Sequence, residues 1–549
     1  MRAMTMKKAI SKTQLLLALM MAMALFTVAA HAAAPGITGT TFNLTAQPAY
    51  LNQPDGQAVY SWGYGCANTT GITFVPAAIS TATCPTMQVP GPTLIVTAPA
   101  TGTATVTVNL TNGLPTAAGN TSILFPGFQV ATSGGVAGLL TQEAAPGATV
   151  TYTLTIPSTA AGTHAYYSGT QGDLQVEMGL YGAIIVIPGA IPAACTAGLP
   201  LTNPGGNSAA QSAANESDFR LAKAAYNHPQ ACYDREYLFQ FSEMDPNIHT
   251  QALAQVTAKA GCTAGAAGCS LNVPTEPYHP AYFLINGRSM PDDMDPNYFP
   301  GYPHQPYNGN PHMHPGELTL IRVIGQGRWQ HPFHEHGNHV RILGRDGNLI
   351  LSESDPNSLA GPLLFTTTTT PGLAFDGIFY WTAKGLNWDA YGHNPASQDP
   401  TAKLPCTPDA NGYNTGVPTA INYFEWCQDH NKPVQAAPFG DVAGGGPVTL
   451  PDPNLFTNGA WYGGSPYLGP NATLRATGCS AGSPAGSCGA TGSTPPSGTI
   501  ANSPSGEAGF AFMWHSHNER EITTNNIFPG GMLMMMLVDS REFVIDESN

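Results

Sequence analysis

Charged side chains are scarce in this sequence. Asp, Glu, Lys and Arg make up 10% of the 549 residues, and the 19 Lys and Arg are outnumbered by 34 Asp and Glu. The formal net charge is −15 at pH 7. Nucleic acids and anionic membranes are bound mainly through clustered basic side chains, so we expect neither as a partner. Because Lys and Glu are good helix formers, their shortage also counts against a helical fold.

Long apolar runs are missing too, with one exception at the start of the chain. Four basic residues within the first 12 precede the apolar segment 15–30, which ends in the small-residue pattern Ala30-His31-Ala32. This order is typical of a secretory signal peptide, so we expect residues 1–32 to be removed on export. No later segment is long and apolar enough to predict a transmembrane helix. We therefore expect a secreted protein, located in the periplasm, at the cell surface or outside the cell.

Cysteine is missing from the predicted signal peptide and from the vicinity of the histidine clusters discussed below, yet the chain holds ten cysteines. An even number in an exported protein indicates disulfide bonds. Sequence alone leaves their connectivity open. The simplest pairing joins neighbours along the chain, as Cys66–Cys84, Cys195–Cys232, Cys262–Cys269, Cys406–Cys427 and Cys479–Cys488.

Turn formers and strand formers are what the sequence has in abundance. It contains 61 Gly and 49 Pro, a composition that favours short strands joined by many turns. Apolar and polar residues alternate in segments such as 91–109, 149–157 and 182–188, as expected of strands with one buried face. We therefore predict an all-β fold, with a first sandwich or barrel domain over residues 40–190.

A second β-rich domain is predicted over residues 231–549, after a linker at 191–230. Strand-like segments recur in it, for example at 317–325. Residues 389–509 are rich in turn formers, hold four of the cysteines and show little periodicity. We interpret them as a long loop-rich insertion in the second domain, and the alternative is a chain of three domains in which this segment is one.

Histidines form two tight clusters in the second domain. Side chains two residues apart on a strand point to the same face, so each cluster can present a pair of imidazoles, which bind copper, zinc, iron or nickel. The residue between the first pair, Glu335, should point to the opposite face and act structurally. The alternative is that these are surface or core histidines without a metal. The candidate metal ligands are His331, His334, His336, His515 and His517.

With these clusters the chain resembles the multicopper oxidases. In that family a last-domain H-P-x-H-x-H-G segment and a terminal H-C-H segment bind copper. The resemblance implies two cupredoxin-like Greek-key domains, and it covers most of residues 50–390 and 508–540. Its motifs in this sequence are VPGPTLIV, NLTNGLP, GTHAYYSGTQGDLQVEMGLYGAIIV, YFLINGRS, HPFHEHG and WHSHNEREITTNNIFPGGM.

The chain departs from the family at the positions that complete its copper sites. Ser516 stands where the family has the cysteine of H-C-H, and Glu521 where it has a further histidine. A hydroxyl cannot replace a thiolate in a His₂Cys copper site, so of that site only His331 is retained, with Met532 as a candidate axial ligand. The histidines expected from the first domain are replaced by Leu124-Phe125-Pro126-Gly127 and Tyr167-Ser168-Gly169.

This pattern predicts copper binding without the four-copper oxidase site. We expect one or two copper ions, and zinc would also fit the nitrogen ligands. The chain would then be an exported copper-binding protein with an incomplete site, and an oxidoreductase only if the reduced site turns over a small reductant. The alternatives are a copper storage or tolerance protein and a non-catalytic structural or assembly module of the extracellular surface. By family analogy, a homo-oligomer such as a trimer is an expected assembly.

Overall fold

The fold is known from a computed structural model of the chain. The structure describes residues 34–75, 84–196, 218–384, 406–417, 420, 422–428, 509–539 and 545, together with three two-residue strands between 434 and 465. The predicted signal peptide, the Cys479–Cys488 pair and most of the predicted insertion at 389–509 lie outside the described residues.

The amino-terminal half forms two five-stranded sheets, with strand orders β11-β12-β5-β1-β4 and β3-β2-β6-β10-β7. The strands are β1 (Gly36–Thr38), β2 (Thr41–Asn52), β3 (Ala58–Cys66), β4 (Thr73–Val75), β5 (Leu94–Thr97), β6 (Thr103–Asn112), β7 (Gln129–Ser133), β8 (Val136–Ala137), β9 (Gln142–Glu143), β10 (Thr149–Pro157), β11 (Gly162–Tyr167) and β12 (Tyr181–Ile187).

Strand β10 shows why this half folds as a sandwich. Its residues Val150, Tyr152, Leu154 and Ile156 are fully buried, whereas the threonines between them are exposed or half-buried. Successive strand residues face opposite sides, so the apolar set packs against the other sheet and the threonines face solvent. The same core includes Leu94 of β5 and Ile184 of β12 in the other sheet, so the two sheets share one interior.

The carboxy-terminal half forms a seven-stranded sheet, in which β14-β13-β16-β22-β18-β19 is extended by β20 pairing with β18. It also forms a six-stranded sheet, β15-β27-β26-β17-β21, in which β25 pairs with β26. The strands are β13 (Arg235–Met244), β14 (Tyr282–Ile285), β15 (His312–Met313), β16 (Leu318–Gly325), β17 (His331–Glu335), β18 (Val340–Arg345), β19 (Asn348–Leu349), β20 (Leu363–Leu364), β21 (Thr366–Thr369), β22 (Ala374–Tyr380), β23 (Val434–Gln435), β24 (Gly446–Pro447), β25 (Gly464–Ser465), β26 (Gly509–Ser516) and β27 (Leu533–Asp539).

Among the described residues, helices are few and short, so the prediction of an all-β fold is confirmed. The longest of these helices begins after Asp245, whose side chain accepts a hydrogen bond from the backbone N–H of Asn247 (2.9 Å), an ordinary N-cap. Within the described ranges, no helix combines the length and apolarity needed to cross a membrane. The helices are α1 (Gly172–Gln175), α2 (Ala193–Thr196) and α3 (Pro246–Ala258), with 3-10 turns at Thr116–Ala118, Asp292–Met294 and Glu519–Ile522.

Disulfide bonds join cysteines that are neighbours in sequence. The sequence separations of the four bonds range from 7 to 37 residues, so each closes a local loop rather than linking the two halves. The predicted pairing of neighbours is thereby confirmed for every cysteine pair within the described residues. These bonds are Cys66–Cys84, Cys195–Cys232, Cys262–Cys269 and Cys406–Cys427.

A buried ionic network joins the two halves. Asp376 accepts hydrogen bonds from Thr163 Oγ1 of the amino-terminal half (2.5 Å) and from Tyr226 OH (2.6 Å). The guanidinium of Arg322 lies 3.4 Å from Asp376 and donates to Glu236 at 2.9 Å. All five residues are buried. Buried charges are tolerated only when paired and hydrogen-bonded, so this network fixes how the halves meet.

Removing one carboxylate from this network should destabilise the fold. We expect Asp376→Ala to lower the free energy of unfolding by about 3–5 kcal/mol, because it leaves the buried Arg322 charge undercompensated. Glu353 is exposed, so Glu353→Ala should change stability by less than about 0.5 kcal/mol. Denaturant unfolding of both variants measures the difference, and equal effects would contradict the prediction.

Candidate metal centre

The two predicted histidine clusters lie on neighbouring strands. Strands β17 and β26 pair antiparallel, with His334 directly opposite His515 and Phe333 opposite Ser516. Residues directly opposite each other share a face of the sheet. The buried Phe333 packs against Trp514, with ring centroids 6.1 Å apart. This core contact fixes one face of the strand pair, and the paired histidines project from the other.

The rings of four histidines converge at this position, and we call them the four-histidine cluster: His334, His336, His515 and His517. The ring centroid of His334 lies 4.9 Å from that of His336, 5.5 Å from that of His515 and 4.8 Å from that of His517. The structure therefore brings together four of the five predicted ligands.

The nitrogen positions fit a transition metal. His336 Nε2 and His515 Nε2 are 3.2 Å apart, close to the ~3.3 Å that separates two imidazole nitrogens bound to one ion at about 2.0–2.1 Å in a tetrahedral arrangement. One nitrogen from each of His334, His336 and His515 lies within 4.8 Å of the others. Small ring rotations would bring all three into contact with one ion, and the partial exposure of His336 permits them.

Hydrogen bonds orient two of these rings. His515 Nδ1 donates to the backbone oxygen of Ser516 (2.7 Å), and since a carbonyl oxygen only accepts, Nδ1 carries the proton and neutral His515 keeps its Nε2 lone pair. His334 Nδ1 lies 2.6 Å from Thr366 Oγ1, so His334 would bind through Nε2. Such outer contacts orient metal ligands in proteins.

The electrostatics of the cluster favour neutral imidazoles. Burial, followed by the proximity of the other three histidines, lowers the pKa of His334 to about 4. Burial likewise lowers the pKa of His515, although its bond to the Ser516 carbonyl opposes the shift. Neutral imidazole is the form that binds metal ions, so protons compete weakly for this site.

The cluster is closed on one side and open on the other. His334 and His515 are buried, His336 is half-buried and His517 is exposed. Phe365, which is 46% exposed, packs edge-on against His334 with ring centroids 5.8 Å apart. A metal ion held here would be accessible from solvent beside His517.

His331 lies apart from the cluster, on the core face of β17. Its Nδ1 is 2.8 Å from Glu521 Oε2 and its Nε2 is 2.9 Å from Glu243 Oε2. All three side chains are buried. Burial by itself lowers the pKa of His331, but the two carboxylates outweigh it and raise the pKa to about 9. Both ring nitrogens therefore donate to carboxylates, and binding of a metal by His331 stays a prediction.

Ser516 and Glu521 occupy the positions where the family resemblance places two further copper ligands. The Ser516 hydroxyl donates to Glu521 Oε2, and Asn518 Nδ2 donates to Glu521 Oε1 (2.9 Å). Met532, the candidate axial ligand, is buried in the core. The side chains at these positions are thus hydrogen-bonded to one another.

Sequence reasoning missed two residues of this region. Glu243 lies in β13, far from both histidine clusters in sequence. Because β13 also contains Arg235 and Glu236, its local pattern did not single out Glu243. Thr366 begins a run of threonines, β21, that carries no recognisable signal.

Glu335 is fully buried, and burial raises its pKa well above the usual range. It lies opposite Trp514 on the core face, as predicted, and its carboxylate oxygens have no hydrogen-bond partner among the described residues.

The segments of the amino-terminal half that replace the family's histidines line a cavity of about 460 Å³ at the boundary between the halves. Leu124 and Tyr167 pair across it, and Gln326–Arg328 form its opposite wall. Its lining residues, all within the described part of the chain, include no His, Cys, Asp or Glu.

The protonation of His331 should make stability depend on pH. Its folded pKa of about 9 lies above the ordinary value of ~6.5, so its stabilising contribution is complete below pH ~6.5 and is lost as pH rises through about 9. We expect His331→Gln to destabilise the metal-free protein by on the order of 3 kcal/mol at about pH 6 and by much less above pH ~9.5. Urea unfolding at several pH values measures this, and a pH-independent difference would contradict it.

Comparison with known proteins finds a family match in the amino-terminal half. Residues 72–190 match the family model described as multicopper oxidase, and no curated protein matches the chain. Among solved structures, the chain is similar to a blue copper oxidase from Nitrosomonas europaea at 13% identity over 91% of this chain and 85% of that one, with a TM-score of 0.42.

Two further solved structures have lower TM-scores than the blue copper oxidase. A copper nitrite reductase from Nitrosomonas europaea is 17% identical over 62% of this chain and 84% of that one, with a TM-score of 0.33. A laccase from Botrytis aclada is 18% identical over 62% and 47%, with a TM-score of 0.34. These likenesses carry no argument about function. Over residues 72–190, the chain is similar to the multicopper oxidase family.

Proposed function

We propose that this chain is an exported copper-binding protein whose copper site is incomplete by the standard of its family. The proposal rests on one observation, the convergence of imidazoles from β17 and β26, with His336 Nε2 and His515 Nε2 3.2 Å apart. Imidazole nitrogen binds copper(II) more tightly than it binds most other divalent metals, although zinc accepts the same ligands. The match of residues 72–190 to the multicopper oxidase model also supports copper.

The residues that would hold the ion are His334, His336 and His515, with His517 available as a fourth ligand from the exposed side. The Ser516 carbonyl and the Thr366 hydroxyl would orient two of these rings. A histidine-bound copper supplies one-electron redox chemistry when an open position meets a reductant. Three or four ligands within one strand pair suit one ion, at most two.

A second candidate function, a reduced-site oxidoreductase, is favoured by the open side of the cluster. His517 is exposed and His336 half-buried, so a small reductant could approach the ion. Four-electron reduction of oxygen would need a copper ion that accepts electrons from the substrate and a cluster of several copper ions that stores them. The hydrogen bonds at Ser516 and Glu521 and the residues that line the boundary cavity argue against both.

Metal titration of the purified protein tests the proposal. We expect about one copper per chain, and affinity lowered at least ~100-fold by His515→Ala or His336→Ala, because each removes a ligand. His279 is exposed and outside the cluster, so His279→Ala should bind copper as the wild type does. Substoichiometric copper that His515→Ala leaves unchanged would refute copper binding here. Sustained oxygen uptake with a phenol or ferrous ion would establish the oxidoreductase.

Restoring the family's cysteine should not restore a blue copper site. We expect Ser516→Cys to lack the intense blue absorption of a copper–thiolate bond, because both ring nitrogens of His331 are hydrogen-bonded to carboxylates and Glu521 replaces the second histidine. A His₂Cys site needs both imidazoles. The visible spectrum of the copper-loaded variant measures this, and a deep blue protein would show that His331 exchanges its carboxylates for copper.

A further inference from the structure

Ser516 connects the four-histidine cluster to the protein core. Its backbone oxygen accepts from His515 Nδ1 on the metal-facing side (2.7 Å). Its hydroxyl points to the core face, donates to Glu521 Oε2 and accepts from the backbone N–H of Asn518 (3.2 Å). The side chain of Ser516 thus anchors this residue to the core, and its backbone oxygen orients the candidate ligand His515.

Glu521 closes the turn that follows the second histidine pair. Its Oε1 accepts from Asn518 Nδ2 (2.9 Å), and its Oε2 accepts from His331 Nδ1 (2.8 Å) as well as from Ser516. The backbone N–H of Met532 also donates to its carbonyl (2.8 Å). Since the turn begins directly after His517, these bonds fix the path of the backbone where it leaves β26 at His517.

The hydrogen bonds continue from His331 into the opposite sheet and then into the amino-terminal half. Glu243 of β13 lies 2.9 Å from His331 Nε2 and accepts from the backbone N–H of Trp329 (2.8 Å) through its other oxygen. The Tyr278 hydroxyl lies 3.4 Å from Glu243 and donates to Glu177 of the amino-terminal half (2.7 Å).

These groups form one buried chain, which we call the carboxylate–histidine chain. Each is at most 9% exposed. Hydrogen bonds in such a low-dielectric interior reinforce one another, and breaking one leaves a buried polar group unsatisfied. Hydrogen bonds join Ser516, Glu521, His331 and Glu243. The chain continues through the 3.4 Å contact between Glu243 and Tyr278, whose hydroxyl donates to Glu177.

We infer that Ser516 and Glu521 are positioning residues for the candidate copper ligands His515 and His517, anchored through the carboxylate–histidine chain to both sheets of the carboxy-terminal half and to the amino-terminal half. The inference rests on the proposed function. Residues in the place of the family's electron-accepting copper thereby acquire a different role. They hold the imidazoles of the neighbouring site in a binding geometry.

Copper affinity tests this role with matched variants. We expect Glu521→Gln and Ser516→Ala each to weaken copper binding about 10–100-fold, the usual effect of losing a group that orients a ligand. Ser516→Thr, which keeps the hydroxyl, should stay close to wild type. Thr367 is buried on β21 beside β17 and its hydroxyl has no hydrogen-bond partner, so Thr367→Val is the control and should leave affinity unchanged.

Two spectroscopic measurements separate positioning from general destabilisation. The copper(II) electron paramagnetic resonance spectrum should show altered nitrogen couplings in Glu521→Gln and Ser516→Ala but not in Thr367→Val. In the metal-free protein, the ¹⁵N shifts of the His515 ring should show a single Nδ1-protonated tautomer in the wild type and a mixture in the two variants.

The outcomes distinguish this inference from the proposed function. Suppose that the wild type binds copper and that both variants keep the wild-type spectrum and an affinity within about 2-fold of the wild type. This result would overturn the positioning role and leave the proposed function standing. A wild type that binds no copper would refute the proposed function. The ¹⁵N shifts would then decide the positioning role alone, and an unchanged His515 tautomer in both variants would overturn it.

Discussion

The antiparallel pairing of β17 with β26 sets every distance at the candidate metal centre. Because His334 lies directly opposite His515, a shift of one residue in this register would send one imidazole pair into the core. The register is held by the buried aromatic residues on the core face, Phe333 and Trp514, and these also pack against β13 and β22 through Phe239 and Phe379. The position of the candidate ligands is therefore a consequence of core packing.

The core face of the same strand pair carries a buried ionic group. Two buried carboxylates, Glu243 and Glu521, flank His331. Buried carboxylates need a positive charge nearby, and these two carboxylates raise the pKa of His331, which favours the protonated ring. In this structure, His331 is therefore hydrogen-bonded to two acids.

The two faces of β17 thus favour opposite charge states of the same side chain type. Burial and neighbouring imidazoles keep His334 neutral, whereas carboxylates keep His331 protonated, although the two lie three residues apart. Strand alternation explains this, because an odd separation places side chains on opposite faces. A histidine in the motif HPFHEHG therefore cannot be assigned a role without knowing what its face of the strand meets.

The sequence by itself determined the all-β fold and the existence of two imidazole pairs, because alternation and short-range spacing are local properties of a strand. It favoured disulfide bonds between neighbouring cysteines but left their connectivity to the structure. Only the tertiary structure decided that the pairs lie on adjacent strands and that His331 stands apart from them. It also decided that Glu243, 88 residues from His331 along the chain, reaches that ring. These outcomes depend on which segments distant in sequence become neighbours, and it is burial among such neighbours that sets the protonation and orientation of each histidine.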